Sequence, residues 1–210
     1  MSVHFVDSLK AVVSRSQPVL LFLAGSNGSG KTSFFKTYVD GSDVCMPFVN
    51  ADEIAAHLRF TQHEKMHTNV EQLAFSKAEE IRRLLLEERQ SFCAETVFSD
   101  PVGAKIEFLH KARASGYVVF LIFIGLDSSV LSLARVIQRV AQGGHDVPDQ
   151  KLRERFPRTL ANLKRAIPLV DEAFLFDNSS DLTPFRLIAR YFEGELVEKH
   201  EPLPLWADFL

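Results

Sequence analysis

The chain has 210 residues, 46% of them hydrophobic, and a formal net charge of −3. This length and this hydrophobic content suit one α/β domain with a large core, while the negative charge excludes a general electrostatic attraction to nucleic acids or membranes. No apolar run is long enough for a transmembrane helix. We therefore expect a single domain over residues 1–210, with neither a nucleic acid nor a membrane as its partner.

The two cysteines indicate the compartment. Cys45 and Cys93 both stand beside apolar, strand-like residues, where a cysteine usually acts as a small buried hydrophobic side chain. We expect two reduced core thiols and no disulfide, which indicates a cytoplasmic protein.

The first elements lead to a glycine-rich loop. Residues 1–17 predict a packing helix, because apolar residues recur there at helical spacing and Pro18 ends the pattern. Residues 19–24 then form a short apolar run that is typical of a buried parallel strand. A second helix is predicted to begin near Lys31, so that the loop lies between a strand and a helix.

This loop matches the G-x-x-x-x-G-K-[ST] pattern at every required position. Its residues are Gly25, Ser26, Asn27, Gly28, Ser29, Gly30, Lys31 and Thr32. Glycines let the backbone curl so that successive N–H groups and the start of the next helix converge on a polyphosphate. We expect Lys31 to reach the β- and γ-phosphates of ATP and the Thr32 hydroxyl to bind Mg²⁺. The loop predicts ATP and Mg²⁺ as cofactors and leaves the phosphoryl acceptor open.

The second predicted strand, residues 45–50, delivers Asp52 and Glu53 to its carboxyl end. Ligands bind at this end of the strands in open α/β sheets. Asp52 could act as the base toward an acceptor hydroxyl, or it could be the N-cap of the next helix. The sequence alone leaves both interpretations open.

Residues 57–90 are expected to form a helical region on the acceptor side. The segment 63–67 satisfies the H-E-x-x-H zinc pattern through His63 and His67. Its polar flanks and the lack of a third ligand argue against a zinc site, so we interpret it as a solvated or substrate-facing insertion. An amphipathic helix follows from Asn69, and its charged residues are assigned to a solvated face.

The third strand, residues 91–96, ends in Glu95 and Thr96. Glu95 lies at the same topological level as Asp52, where it could orient the acceptor or a metal-bound water, or be a plain strand-end glutamate. After another helix comes the most apolar run of the chain, residues 117–124. This alternation predicts an α/β fold of the P-loop kinase type, with a central, mostly parallel sheet flanked by helices.

Residues 127–166 predict two lid helices around a Gly143-Gly144 hinge. They carry a high density of guanidinium groups, on Arg135, Arg139, Arg153, Arg155 and Arg158. Planar arginine donors match the negative charge that spreads over a phosphoryl group during its transfer, which favours a mobile lid. The alternative is a set of surface arginines paired with nearby acids.

The last part of the chain is expected to close the sheet. Residues 173–179 are typical of a fifth strand that exits into a polar turn near the adenine, so Asn178 is a candidate contact with the nucleotide. Residues 185–210 are predicted to form a C-terminal hairpin and a tail that docks on the surface.

Taken in order, several segments resemble the zeta-toxin-like family of P-loop kinases, in its GGHDVP-containing branch. These segments are 24–32, 49–54, 95–96, 135–148 and 176–179. The resemblance spans residues 18–180. It implies a kinase that uses ATP and Mg²⁺ to phosphorylate the 3′-hydroxyl of the amino sugar in UDP-N-acetylglucosamine.

The resemblance also implies roles for individual residues. Asp52 becomes the base toward the sugar hydroxyl, and Glu95 becomes an acceptor-binding group, with Glu53 and Thr96 beside them. Arg139 matches the first lid arginine. The candidates for the second are Arg153, Arg155 and Arg158, of which we favour Arg155 for catalysis and assign the other two to the nucleotide.

Two other functions stay open. One is a kinase for another nucleotide, an antibiotic or a polynucleotide end. The other is an ATP-binding module that acts through a protein partner such as an antitoxin. Such a module would bind ATP without any turnover that depends on an acceptor.

Overall fold

The computed structural model describes residues 3–13, 17–42, 44–61, 69–142 and 147–210. Within these ranges the chain forms a sheet of seven strands. In chain order they are β1 (Val19–Gly25), β2 (Phe48–Val49), β3 (Phe92–Thr96), β4 (Val118–Gly125), β5 (Glu172–Asp177), β6 (Arg186–Phe192) and β7 (Glu195–Lys199).

Helices connect these strands. In chain order they are α1 (Val3–Val13), α2 (Lys31–Phe34) with its π-helical continuation Phe35–Asp40, α3 (Ala51–Thr61), α4 (Val70–Glu87), α5 (Ala104–Ala114), α6 (Ser129–Ala141) and α7 (Asp149–Ala166). Among the described residues, no helix is both long enough and apolar enough to cross a membrane.

The strand order is β2-β3-β1-β4-β5-β6-β7. The strands from β2 to β5 run parallel to their neighbours, and β6 and β7 form the predicted antiparallel hairpin at one edge. The connection from β1 leads toward β2 and the connection from the adjacent β4 leads toward β5. They leave in opposite directions, which opens a crevice at the carboxyl ends of these two strands. This arrangement confirms the predicted P-loop kinase fold.

Strand β1 is buried along its whole length because helices cover both faces of the sheet. Its alternate residues divide between two cores, as the two-residue period of a strand requires. Leu20 and Phe22 face a core shared with α4, α5 and α7. Leu21 and Leu23 face a core shared with α1 and α2.

Two expectations for the second strand were wrong. The ladder covers only Phe48–Val49, not residues 45–50, since β2 is an edge strand that pairs with β3 through two residue pairs. Cys45 therefore precedes the strand and is exposed, whereas Cys93 in the middle of β3 is buried as predicted. Both thiols are free.

The C-terminal tail docks against the ends of β4 and β5. The Trp206 ring is buried above Gly125, and its indole Nε1 donates a hydrogen bond to the Asp177 carboxylate at 2.9 Å. A Cβ atom on Gly125 would lie 2.1 Å from the Trp206 ring. The tail is thus fitted to a position that only glycine can occupy.

We expect Gly125→Ala to lower the free energy of unfolding by about 1–3 kcal/mol, because the methyl group must displace a large buried ring. Urea denaturation measures the change. In a Trp206→Ala background the same substitution should cost far less, since the ring is gone. Equal costs in both backgrounds would show that the contact with Trp206 is not the cause.

Candidate active site

The phosphate-binding loop leaves β1 and enters α2 at the centre of the crevice. Gly30 has φ 94°, in the left-handed region that favours glycine. A Cβ there would also lie 2.8 Å from the Asn178 amide nitrogen. Lys31 is buried, and its Nζ donates hydrogen bonds to the carbonyl oxygens of Gly25 and Ser26, both at 3.0 Å. The loop therefore curls around its own lysine ammonium group.

Several polar atoms inside the loop are buried without a hydrogen-bond partner among the described residues. They are Ser26 Oγ, Asn27 Oδ1 and Ser29 Oγ. Buried polar groups are normally satisfied, so orphaned atoms in a glycine-rich cradle fit a loop that closes around an anion. The sequence-predicted phosphate site has the groups that such a ligand needs.

Neighbouring elements hold the loop in place. Ser132 on α6 donates from its Oγ to the Asn27 carbonyl oxygen at 2.7 Å. Asn178, directly after β5, donates from its amide to the Ser29 carbonyl oxygen at 2.9 Å and accepts from the Phe185 N–H. The Asn178 side chain thus links the loop to the start of β6. Its contact with the nucleotide stays a prediction.

Glu95 lies beside the loop, at the end of β3. Thr32 Oγ1 donates to its carboxylate at 3.0 Å and Asn50 Nδ2 donates at 2.7 Å, while Lys31 Nζ is 3.6 Å away. Hydroxyl and carboxylate oxygens are the ligands that Mg²⁺ prefers. The pair of Thr32 and Glu95 therefore fits a magnesium ion at the metal position predicted for Thr32, although the described residues hold no cluster of three or more metal-binding side chains.

Asp52 is not the cap of its helix. Asn50 takes that place, because its Oδ1 accepts from the Asp52 N–H at 2.8 Å and its carbonyl oxygen accepts from the Ile54 N–H. The structural interpretation of Asp52 as an N-cap was therefore wrong. Its carboxylate is exposed at the second position of α3.

A cavity of about 600 Å³ brings many of the predicted residues together. Those in its lining are Asn27, Asp52, Glu95, Thr96, Arg155 and Arg158. This volume lies in the range that small-molecule sites occupy. Asn27 of the loop and the Asp52 carboxylate thus face one space, whereas Lys31 and Thr32 are not part of its lining.

Other predicted residues lie outside this lining. Glu53 follows Asp52 but does not contribute to the cavity wall. Desolvation raises the pKa of Glu53, Lys36 opposes this rise, and the Glu95 carboxylate adds to it. Arg139, on α6, is half-buried and is also absent from the wall, as is the exposed Arg153.

The arginines of α7 that were predicted for a lid separate into two groups. Arg155 and Arg158 line the cavity, one helical turn apart, together with Lys151. Burial lowers the pKa of Arg155, the neighbouring Arg158 lowers it further, and Asp52 opposes the shift. Two guanidinium groups that repel one another across from a carboxylate form a site that an anion would stabilise.

Glu79, Arg82 and Lys105 form a polar cluster that was not predicted from the sequence. The solvated face predicted for the charged residues of α4 holds for the exposed Glu80, Arg83 and Glu87 but not for Arg82, which is 5% exposed. Arg82 and Lys105 both pair with the Glu79 carboxylate and both line the cavity. The apolar Ile81 and Leu84 are partly exposed instead. The available signal was helical spacing, which places Arg82 on the same face as the buried Ala74 and Ala78.

Burial alone would raise the pKa of Glu79, but the hydrogen bond and charge of Lys105 and the charge of Arg82 hold it below its usual value. The carboxylate is thus ionised between the two cations.

Two predicted features lie outside the described residues. They are the 63–67 segment with His63 and His67, and the Gly143-Gly144 hinge.

The fold and the loop together define the class of protein. A phosphate-binding loop at the end of the central strand, in a mostly parallel sheet, is the P-loop kinase fold. A family model described as Zeta toxin matches residues 4–181. The chain belongs to the Zeta toxin family.

Solved structures share this fold at low sequence identity. The AvrRxo1-ORF1:-ORF2 structure with ATP has a TM-score of 0.68 at 17% identity, over 93% of this chain and 68% of that one. The structure from the PezAT toxin–antitoxin system of Streptococcus pneumoniae has a TM-score of 0.61 at 14% identity, over 90% and 79%. An uncharacterized protein of Haemophilus influenzae is 25% identical over 136 residues, which are 65% of this chain and 91% of its own.

Proposed function

We propose that this protein is a phosphotransferase that moves the γ-phosphoryl group of ATP to a hydroxyl group of a small molecule. One observation carries this proposal. The cavity lining joins Asn27 of the phosphate-binding loop, the carboxylate of Asp52 and the guanidinium groups of Arg155 and Arg158. A donor site, a base and an anion clamp are the parts that phosphoryl transfer needs.

Each part has a role in this proposal. The loop N–H groups and Lys31 bind the β- and γ-phosphates. To do so, the Lys31 ammonium group must turn away from the carbonyl oxygens of Gly25 and Ser26 that it contacts. Asp52 accepts the proton of the acceptor hydroxyl as the oxygen attacks the γ-phosphorus atom. Arg155 and Arg158 stabilise the charge on the transferred group. The proposed catalytic role of Arg139 requires that the lid brings it closer to the cavity.

Thr32 and Glu95 are the residues that would hold Mg²⁺. When bound, the ion supplies positive charge to the phosphate oxygens. This proposal moves Glu95 from the acceptor to the metal side of the site, because its carboxylate contacts Thr32 and Lys31. ATP in the related AvrRxo1-ORF1:-ORF2 structure supports the same nucleotide here.

We further propose a sugar nucleotide, UDP-N-acetylglucosamine, as the acceptor. Family membership supports this choice, and the cavity volume suits a molecule of that size. The test is ATP consumption by the purified protein with Mg²⁺, with and without the sugar nucleotide, followed by mass spectrometry. We expect a product that has gained one phosphate. ATP-dependent phosphorylation of a different metabolite would replace the acceptor and keep the mechanism.

A protein partner is the second candidate function. The PezAT structure comes from a toxin–antitoxin system and the AvrRxo1 structure is a complex of two proteins, so we propose that an antitoxin binds this chain. The use of ATP and the two free thiols support a cytoplasmic location. Co-purification of the chain with the product of a neighbouring gene tests the partner. An ATPase rate that such a partner changes, without any acceptor, would favour the binding module.

A further inference from the structure

The edge of the sheet next to the cavity is held by few backbone contacts. Strand β2 pairs with β3 only through Phe48↔Cys93 and Val49↔Ala94. The ladder stops there, and the next residues are Asn50 and Glu95, whose side chains contact one another at 2.7 Å. A two-residue edge ladder fixes its strand weakly, so the position of the following Asp52 depends on side-chain contacts.

Arg82 joins the two strands where the ladder ends. Its Nη2 donates to the Glu95 carbonyl oxygen at 2.6 Å and lies 3.5 Å from the Val49 carbonyl oxygen. These two carbonyl groups belong to adjacent strands. A planar guanidinium group can contact both at once, whereas an ammonium group on the same stem has less reach.

The other side of the guanidinium group is held as well. Arg82 Nη1 contacts the Glu79 carboxylate, which Lys105 on α5 also binds. Burial lowers the pKa of Arg82, and the charges of Glu79 and Glu95 oppose this shift. A buried ion cluster is weak evidence for stability, since apolar residues of the same volume often stabilise a fold as well. What the structure shows of this cluster is its geometry, since it holds the guanidinium group against the ends of the two strands.

We propose that Arg82 is a positioning residue, which holds the ends of β2 and β3 at the separation that Asp52 and Glu95 need for phosphoryl transfer. The effect on phosphoryl transfer rests on the proposed function. The contact of Arg82 with the two strand ends does not depend on it. It assigns Arg82 no direct contact with ATP or with the acceptor. The effect of the residue passes through the backbone of the two strand ends.

Hydrogen exchange of backbone amides tests this contact without any substrate. In Arg82→Met, we expect the amides of residues 48–54 to exchange about tenfold faster or more, while those of β1 and β4 keep their protection. Arg83→Met is the matched control, because Arg83 is exposed on the same helix and pairs with Glu87. Arg82→Lys keeps the charge and should show a smaller acceleration at the same amides. It also provides the test if the methionine variant does not fold.

Kinetics with ATP and UDP-N-acetylglucosamine, the proposed acceptor, provide the second readout. We expect Arg82→Met to lower kcat about tenfold or more at a nearly unchanged KM for ATP, with partial rescue in Arg82→Lys. Unchanged exchange at residues 48–54, or a uniform acceleration over the whole chain, would overturn the proposal. A fall in kcat with normal exchange would also overturn it, since Arg82 would then act on the ligands directly. A wild-type protein without transfer activity would refute the proposed function alone, because the exchange experiment still decides the contact.

Discussion

Asp52→Asn should lower kcat for phosphoryl transfer by about 10²- to 10⁴-fold, the usual contribution of a general base. The asparagine keeps the size and the helical position of the side chain but cannot accept the proton of the acceptor. The N-cap remains intact because Asn50, not Asp52, supplies it. Steady-state kinetics with ATP and acceptor measure the effect.

The affinity for ATP should change little in Asp52→Asn, since the carboxylate is proposed to act on the acceptor. Glu107→Gln is the matched control: Glu107 is also a carboxylate in the first turn of a helix, but it is exposed on α5 and pairs with Lys111. It should leave kcat unchanged. Full activity of Asp52→Asn would remove Asp52 from the mechanism and leave the cavity without a base from α3.

Lys31→Met should lower kcat by about 10²- to 10³-fold or more, the cost of removing one charged donor from a preorganised site. Methionine fills a similar volume, so the buried position should stay packed. Unlike the change at Asp52, this one should also weaken ATP binding, because the ammonium group is proposed to contact the phosphates before transfer as well as during it. Calorimetric titration with ATP separates the two effects.

The control for Lys31→Met is Lys111→Met on the surface of α5, where the lysine pairs only with Glu107 among the described contacts. Unfolding in urea must also be followed, since Lys31 Nζ contacts two loop carbonyl oxygens. Normal ATP affinity in a folded Lys31→Met protein would contradict the proposed role of the loop.

The sequence predicts the framework of the site because that framework depends on local patterns. The loop is a contiguous motif, and apolar runs bounded by polar residues mark strands whose carboxyl ends meet at one edge. Asp52 and Glu95 follow from this rule without any knowledge of pairing. That Arg155 lines the cavity and Arg153 does not cannot be predicted in this way, because it depends on how α7 is rotated about its axis.

The sequence could not predict the roles of Arg82 and Asn50. Helical spacing places Arg82 on the buried face of α4, but no local pattern shows that two carbonyl oxygens from separate strands lie within its reach. An arginine among other charged residues on a helix is usually solvated, so the general rule gave the wrong answer. The choice of Asn50 over Asp52 as the N-cap depends on where α3 begins, and helix ends are the least certain part of such predictions.

The docked tail has an optical consequence. Trp206 is the one tryptophan of the chain, and it is buried beside Phe123 with its N–H bonded to Asp177. Asp177 precedes Asn178, which holds the phosphate-binding loop. All tryptophan fluorescence of this protein therefore comes from the junction behind the nucleotide site. A red shift of that emission would signal release of the tail. Measuring the emission while ATP is added would report nucleotide binding without an added label.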